Sequence, residues 1–293
     1  MSHTPWNQLN IDHLLALDAV APGLWRTRSG DANPHARSFG GQLLGQAMMA
    51  GLMDMPEGRE ATMMQFLFLQ GAMPHESVDL LVTSLQKGKR FSSNHVRGRQ
   101  GNGCLVLDAQ VTCAVPIKAP SHGAPSTAPA GERAEDLATL DDVDPALMHG
   151  FRRLGGYSED RKPSIEFHIP DPERQLAAAT MDGHFRFWMR ATKPLPDNAR
   201  IHVAAFAYLS DWWLNFSALG LHLRDLGERR LYIASLNHAI WLHRPVRADQ
   251  WLHVASVSPA GAGGRGLSIA SVHDAQGHSV ATLTQDCLMS YAD

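Results

Sequence analysis

Apolar and polar residues alternate along much of this chain with the period of a β-strand. From Tyr232 to Pro245, Ile233, Ser235, Asn237 and Trp241 fall on one face and Leu236, His238, Ile240 and Leu242 on the other. Both faces are largely apolar, which predicts a strand covered on two sides. Ser235 and Asn237 then each need a hydrogen-bond partner away from water. Residues 105–115 alternate as well, with Leu105, Leu107, Ala109, Val111, Cys113 and Val115 on one face. Ahead of them the pattern predicts strands over 62–69, 77–85 and 92–99, separated by turn residues such as Lys87-Gly88. Residues 42–53 follow another period. Leu43, Leu44, Ala47, Met48 and Leu52 lack β-branching, and few polar residues interrupt them, so a buried helix is expected. Gly41, Gly45 and Gly51 weaken that helix, which implies a very close neighbour.

A stretch rich in Pro, Ala, Gly and Ser, 116–144, reads as a linker. A short helix over 145–154 and an extended segment over 163–170 are expected next. The first pattern then returns. Strands over 184–190 and 201–209 lead into a helix expected from Ser210-Asp211 through Leu223, and strands follow at 231–242, 251–258, 266–273 and 279–289. Each half is thus an α+β unit, a curved antiparallel sheet wrapped around a helix. The repetition is one of element order, with no repeat visible residue by residue. It divides the chain into an N-terminal unit, 1–116, a linker and peripheral segment, 117–180, and a C-terminal unit, 181–293. Paired end to end, the two sheets form one, with a helix of each half on its concave face.

Composition narrows the function. The 293 residues are 44% hydrophobic and 19% charged, with a formal net charge of -3, an ordinary globular balance without the basic footprint of a nucleic-acid binder. No apolar run approaches the ~20 residues of a membrane span, and the first residues lack the pattern of an export signal. Cys104, Cys113 and Cys287 form no CxxC pair and no even set, as expected in a reducing, cytoplasmic setting. The sixteen histidines include no HExxH and no Cys/His cluster, so no metal is expected. Gly261 to Gly266 matches GxGxxG by letter, but a strand follows it rather than a helix. It reads as a hairpin turn, and no cofactor is expected.

Three side chains are left to carry chemistry: Asp211, Ser235 and Gln285. Alone, Asp211 is a helix cap, Ser235 is ordinary, and Gln285 satisfies a stray backbone group among Ala281, Leu283, Cys287 and Met289. Together, a carboxylate, a hydroxyl and an amide could hold a water beside a carbonyl carbon. Spacing alone leaves these readings open.

The motifs resemble those of the type II acyl-CoA thioesterases, the TesB-like family with a double hotdog fold. In the second half AYLSD (207–211), ASLNHAIWLHRP (234–245), RADQW (247–251), SPAGAGGRGL (258–267) and TLTQD (282–286) follow the family in order; in the first, FGGQLLGQA (39–47) is its helix motif. The resemblance implies a homo-oligomer acting on acyl-CoA without nucleic acid or membrane. It assigns the hydrolytic water to an aspartate, a serine or threonine and a glutamine, which fall on Asp211, Ser235 and Gln285. Asn237 stands where the family shows Asp, and Asp286 where it shows Glu. Residues 68–72 replace Phe-Leu-Arg-Pro-Gly, and His168 stands where an arginine is common. Two other classes compete: a hotdog hydratase or dehydratase using an Asp/His pair, and an acyl-thioester binding module without turnover. His238 is expected to face away from Ser235, which disfavours the first. For the phosphates of coenzyme A, Arg244, Arg247 and Arg265 are available with no basis for choosing among them.

Overall fold

A computed structural model describes residues 4–33, 35–101, 103–149, 162–177 and 182–291. The first half holds α1 (Ile11–Leu15), β1 (Leu17–Ala21), β2 (Leu24–Thr27), the long α2 (Gly40–Met53), β3 (Glu60–Phe68), β4 (Asp79–Lys87), β5 (Phe91–Gln100) and β6 (Cys104–Ala114). The connecting region adds β7 (Ala138–Thr139), α3 (Pro145–His149), β8 (Ile165–Ile169) and α4 (Pro172–Leu176). The second half holds β9 (His184–Ala191), α5 (Ala199–Ser210), α6 (Phe216–Leu219), β10 (Leu231–Leu242), β11 (Leu252–Ala262), β12 (Arg265–Asp274) and β13 (Ser279–Tyr291).

All the strands join one antiparallel sheet in the order β1-β2-β4-β5-β6-β3-β10-β13-β12-β11-β9-β8-β7. The seam is the pairing of β3 with β10, which sets Phe66 opposite His238 and Met64 opposite Ile240. Outward from it the halves correspond strand for strand, β3-β6-β5-β4-β2 on one side and β10-β13-β12-β11-β9 on the other. The register carries the correspondence to single residues. In β3 the pairing slips between Ala61 and Met63, with Ala61 opposite Cys113 and Met64 opposite Val111. In β10 it slips between Ser235 and Asn237, with Ser235 opposite Cys287 and His238 opposite Gln285. Ser235, His238 and Gln285 thus occupy the places that Ala61, Met64 and Val111 hold in the first half.

α2 and α5 pack against each other, and glycines set the distance. A Cβ on Gly41 would collide with the carbonyl oxygen of Tyr208, and one on Gly45 would lie 2.9 Å from that of Ala204. A Cβ on Gly51 would lie 2.7 Å from the side chain of Val111 on the sheet. The close neighbours expected from these glycines are therefore the other half's helix and β6.

The structure corrects the second half at two places. Residues 201–209, expected as a strand, lie in α5. Asn198 caps it by accepting the Arg200 N–H at 2.9 Å, and Ala199, Ala204, Ala205 and Ala207 outweigh the β-branched Ile201 and Val203. The helix expected over 211–223 is a run of turns with α6 and a 3-10 turn at Gly220–His222. Asp211 therefore ends a helix instead of opening one.

The linker is mostly exposed, yet it is docked. It lies against the second half's sheet, where Ala134 packs with Trp188 and Trp251. Glu132 accepts hydrogen bonds from Arg186 and Trp188, and His273 Nε2 donates to Ala124 O at 3.0 Å. Of the helix expected over 145–154, α3 covers Pro145–His149 and the rest lies outside the described residues. Gly263 and Gly264, both at positive φ, close the hairpin between β11 and β12, as their spacing led one to expect.

Candidate active site

Asp211 closes α5, Ser235 sits on β10 and Gln285 on β13. All three meet at one carboxylate oxygen. Gln285 Nε2 donates to Asp211 Oδ1 at 2.7 Å and to Ser235 Oγ at 2.6 Å, and Ser235 Oγ lies 3.3 Å from the same Oδ1. The backbone N–H of Gly41, in the first turn of α2, also favours the charged form of the Asp211 carboxylate. Asn215 Nδ2 reaches Ser235 Oγ at 3.4 Å.

The bulge in β10 makes this convergence possible. An extra residue, Leu236, interrupts the alternation, so Ser235 and His238 both reach Gln285 instead of pointing to opposite faces. His238 Nδ1 lies 2.9 Å from Gln285 Oε1, and its Nε2 lies 3.0 Å from Ser210 Oγ. The sequence reading placed His238 away from Ser235, and the bulge overturns that. It also separates Asn237 from Ser235: Asn237 pairs with Asp286 and accepts that residue's N–H at 3.3 Å.

A cavity of about 340 Å³ opens over Asp211 and Ser235 at the seam of the two halves. The first half contributes Phe39, Gly40 and Leu43 at the start of α2 and the turn Phe68–Ala72; the second contributes Trp212, Asn215 and Ile233–Leu236. Gln285 is fully buried behind Asp211 and Ser235, and neither it nor His238 lines the cavity. A larger groove of about 520 Å³, bordered by Thr127, Arg174 and Ser256, contains none of the trio.

Burial pushes the Asp211 carboxyl up to about 6, against the hydrogen bonds from Gln285, Ser235 and Gly41 and the charge of Lys162. Lys162 lines the cavity but is held by Asp31, both of whose carboxylate oxygens lie 2.8 Å from Nζ. Burial takes His238 down to about 4, so the ring is neutral near pH 7.

Of the arginines considered from sequence, Arg247 pairs with Asp197 and Asp249, and Arg265 lies 3.8 Å from Asp286. None of Arg244, Arg247 and Arg265 lines the cavity; His35 and Arg37 do. Gln70, in the turn that replaces Arg-Pro-Gly, borders the cavity and accepts a hydrogen bond from Cys104. His168 does not: its Nδ1 donates to Ala134 O at 2.7 Å beside Trp251. The reading from sequence missed Gly41, Ser210, Asn215 and His238. Of these, Gly41, Ser210 and His238 lie within FGGQLLGQA, AYLSD and ASLNHAIWLHRP, and Asn215 alone had no such local signal.

Comparison with known proteins agrees with this architecture. Residues 28–114 match the acyl-CoA thioesterase N-terminal domain, and residues 129–289 the acyl-CoA thioesterase C-terminal domain. The chain is 27% identical over 262 residues to acyl-coenzyme A thioesterase 8 of Rattus norvegicus, covering 88% of this chain and 81% of that protein. The crystal structure of acyl-CoA thioesterase II TesB2 from Mycobacterium marinum aligns with a TM-score of 0.78 at 25% identity, over 97% of this chain and 99% of that one. A conserved protein of unknown function with a hot dog fold from Alicyclobacillus acidocaldarius aligns at 0.75 and 16% identity, over 97% and 98%, which speaks to the fold. With a hotdog fold and both family domains in order along its length, the chain belongs to the type II acyl-CoA thioesterases and hydrolyses acyl-CoA thioesters.

Proposed function

We propose that the hydrolytic site is the floor of the seam cavity, with Asp211 as general base and Ser235 holding the water that Asp211 activates. The supporting observation is the meeting of Gln285 and Ser235 on Oδ1 of Asp211 beneath an open cavity. Water attacks the thioester carbonyl carbon as Asp211 takes its proton, and the C–S bond breaks as that proton passes to the departing thiolate. A carboxyl held near 6 is ionised at neutral pH and still basic enough to accept a proton. Gln285 has spent both amide hydrogens on Asp211 and Ser235, so it acts as a positioning residue and not as a direct water ligand. The start of α2, where Gly40 borders the cavity, is placed to polarise the thioester carbonyl. His35 and Arg37 at the rim are the cations offered to coenzyme A phosphates.

In this reading the chain is a double hotdog, with units at 1–116 and 181–293 and a linker and peripheral segment between. The trio comes from the second unit, while the first supplies Gly41 and a wall of the cavity. A hydratase working through an Asp/His pair is disfavoured, because His238 lies behind Gln285 and does not border the cavity.

Single turnover in ¹⁸O-water with excess enzyme tests the mechanism. Direct attack places the label in the released acid and none in the protein. Label on Asp211, or an acyl adduct trapped on Ser235, would overturn the general-base role.

A further inference from the structure

The two ends of a carboxamide have nearly the same size, so packing does not decide which end of the buried Gln285 faces Asp211. Hydrogen bonding does. An ionised Asp211 only accepts, so it requires Nε2, which lies 2.7 Å from Oδ1. Oε1 then faces His238 Nδ1 at 2.9 Å, and a hydrogen bond forms there only if Nδ1 carries the ring hydrogen. A neutral imidazole so protonated leaves Nε2 as an acceptor, and Ser210 Oγ at 3.0 Å is the group that donates to it.

The opposite setting is also self-consistent. Ser210 Oγ lies 2.9 Å from Ala207 O and has one hydrogen to give. Sent to Ala207, it leaves His238 protonated on Nε2, Nδ1 accepting from a reversed Gln285 amide, and the amide oxygen facing Asp211. That setting is satisfied only when Asp211 is protonated, the state in which it cannot act as a base.

The first half shows what the fold alone requires here. Met64 occupies the place of His238 and is fully buried, across from Val111 at the place of Gln285. An apolar side chain fills this position where there is no amide to aim. The histidine in the second half bears the cost of burying a polar ring, and its polar contacts are Gln285 and Ser210.

We infer that His238 is a positioning residue whose Nδ1–H, set by Ser210 on Nε2, aims the Gln285 amide at Asp211 and Ser235 and keeps Asp211 an acceptor. This rests on the reading of Asp211 as the base; the tautomer of His238 does not. The other groups acting on Asp211, the Gly41 N–H and Lys162 with its partner Asp31, are untouched by substitution at 238.

The test joins kinetics to a tautomer measurement. His238→Met, for which Met64 is the precedent, should lower kcat ~10–100-fold with KM within ~3-fold and move the acid limb of kcat/KM up by about one pH unit. His238→Asn, whose Nδ2 takes the place of Nδ1 as donor, should recover most of kcat and the original limb. In ¹⁵N-histidine-labelled wild type, the resonance lost in His238→Asn should be that of a neutral, Nδ1-protonated ring at pH 8. A wild-type kcat and limb in His238→Met, an equal loss in His238→Asn, or an Nε2-protonated ring would overturn the inference. The ring measurement decides the matter if His238→Met does not fold. A fully active Asp211→Asn would instead remove the base assignment while leaving the tautomer result standing.

Discussion

The carboxylate of Asp211, at the end of one half's helix, is favoured in its charged form by the backbone N–H of Gly41 in the first turn of the other half's helix. A helix end rich in free carbonyls repels a negative charge, and one rich in free N–H groups attracts it. Asp211 lies between the two, so the antiparallel packing of α2 on α5 does more than fill the core. It places an anion-stabilising helix start against a residue of the opposite half.

That relationship leaves no room for a side chain at position 40. A Cβ there would collide with Asp211 Oδ2 and lie 3.1 Å from Phe68. Gly40→Ala should lower turnover by ~10², because sub-ångström to 1 Å misplacement of a reacting group is that costly. Its effect on stability should stay within about 1 kcal/mol, since Ala is the better helix former. Gly41→Ala drives a Cβ against the backbone oxygen of Tyr208 and should instead be lost mainly to unfolding. Kinetics and chemical denaturation of both variants separate the outcomes.

The raised Asp211 carboxyl forecasts opposed effects on activity and stability. Its folded value, about 6, lies above the ordinary 3.8, so the folded protein holds this proton more tightly than the unfolded chain. Ionising it opposes folding: the penalty is absent below about pH 4, grows towards pH 6 and is complete above. Asp211→Asn should therefore stabilise the protein by on the order of 1–3 kcal/mol at pH 8, with the gain shrinking towards pH 5, while turnover falls ~10²–10⁴. In the wild type, kcat/KM should rise with pH through about 6 and then level off. Urea melts at the two pH values and a pH–rate profile check both halves of the forecast.

Asn237 offers a contrast. Its Oδ1 accepts the Asp286 N–H on β13, apart from the trio. Asn237→Asp keeps an acceptor there, so turnover should change by less than about tenfold, or ~1.4 kcal/mol of barrier. A much larger change in kcat would mean that a charge at 237 is felt at Asp211.

Acid should weaken the fold through buried histidines. His253 and His238 are each taken down to about 4, chiefly by burial, from an ordinary 6.5. A depressed folded value means that stability is complete above about 6.5 and is lost as pH falls towards 4. His253 lies under the linker, 3.4 Å from Ser126 Oγ, with its ring tilted against Trp188 at 5.0 Å between centroids. His253→Leu should flatten the loss of stability between pH 6.5 and 4, which thermal melts across that range would reveal. An unchanged slope would assign the acid sensitivity elsewhere.

The linear sequence was enough to determine what depends on local period and side-chain chemistry. The alternation in 105–115 and 279–289, the unbranched run of 42–53 and its glycines led to the right strands, the right helix and the close packing upon it. Asp211, Ser235 and Gln285 could be picked out because a carboxylate, a hydroxyl and an amide among apolar neighbours need partners. What the sequence did not hold was direction. One inserted residue in β10 reverses the side chains beyond it, and its presence is visible only in the pairing with β13. That slip turned His238 towards Gln285 and Asn237 away from Ser235. Residues 201–209 alternate plausibly as a strand, yet the Asn198 cap and their place beside α2 made them a helix and moved Asp211 from its start to its end. The contact of Asp211 with Gly41 joins residues 170 positions apart across the seam. Contacts of that kind arise when two sheets meet edge to edge and two helices cross over them, and only the tertiary structure decides which residues then face each other.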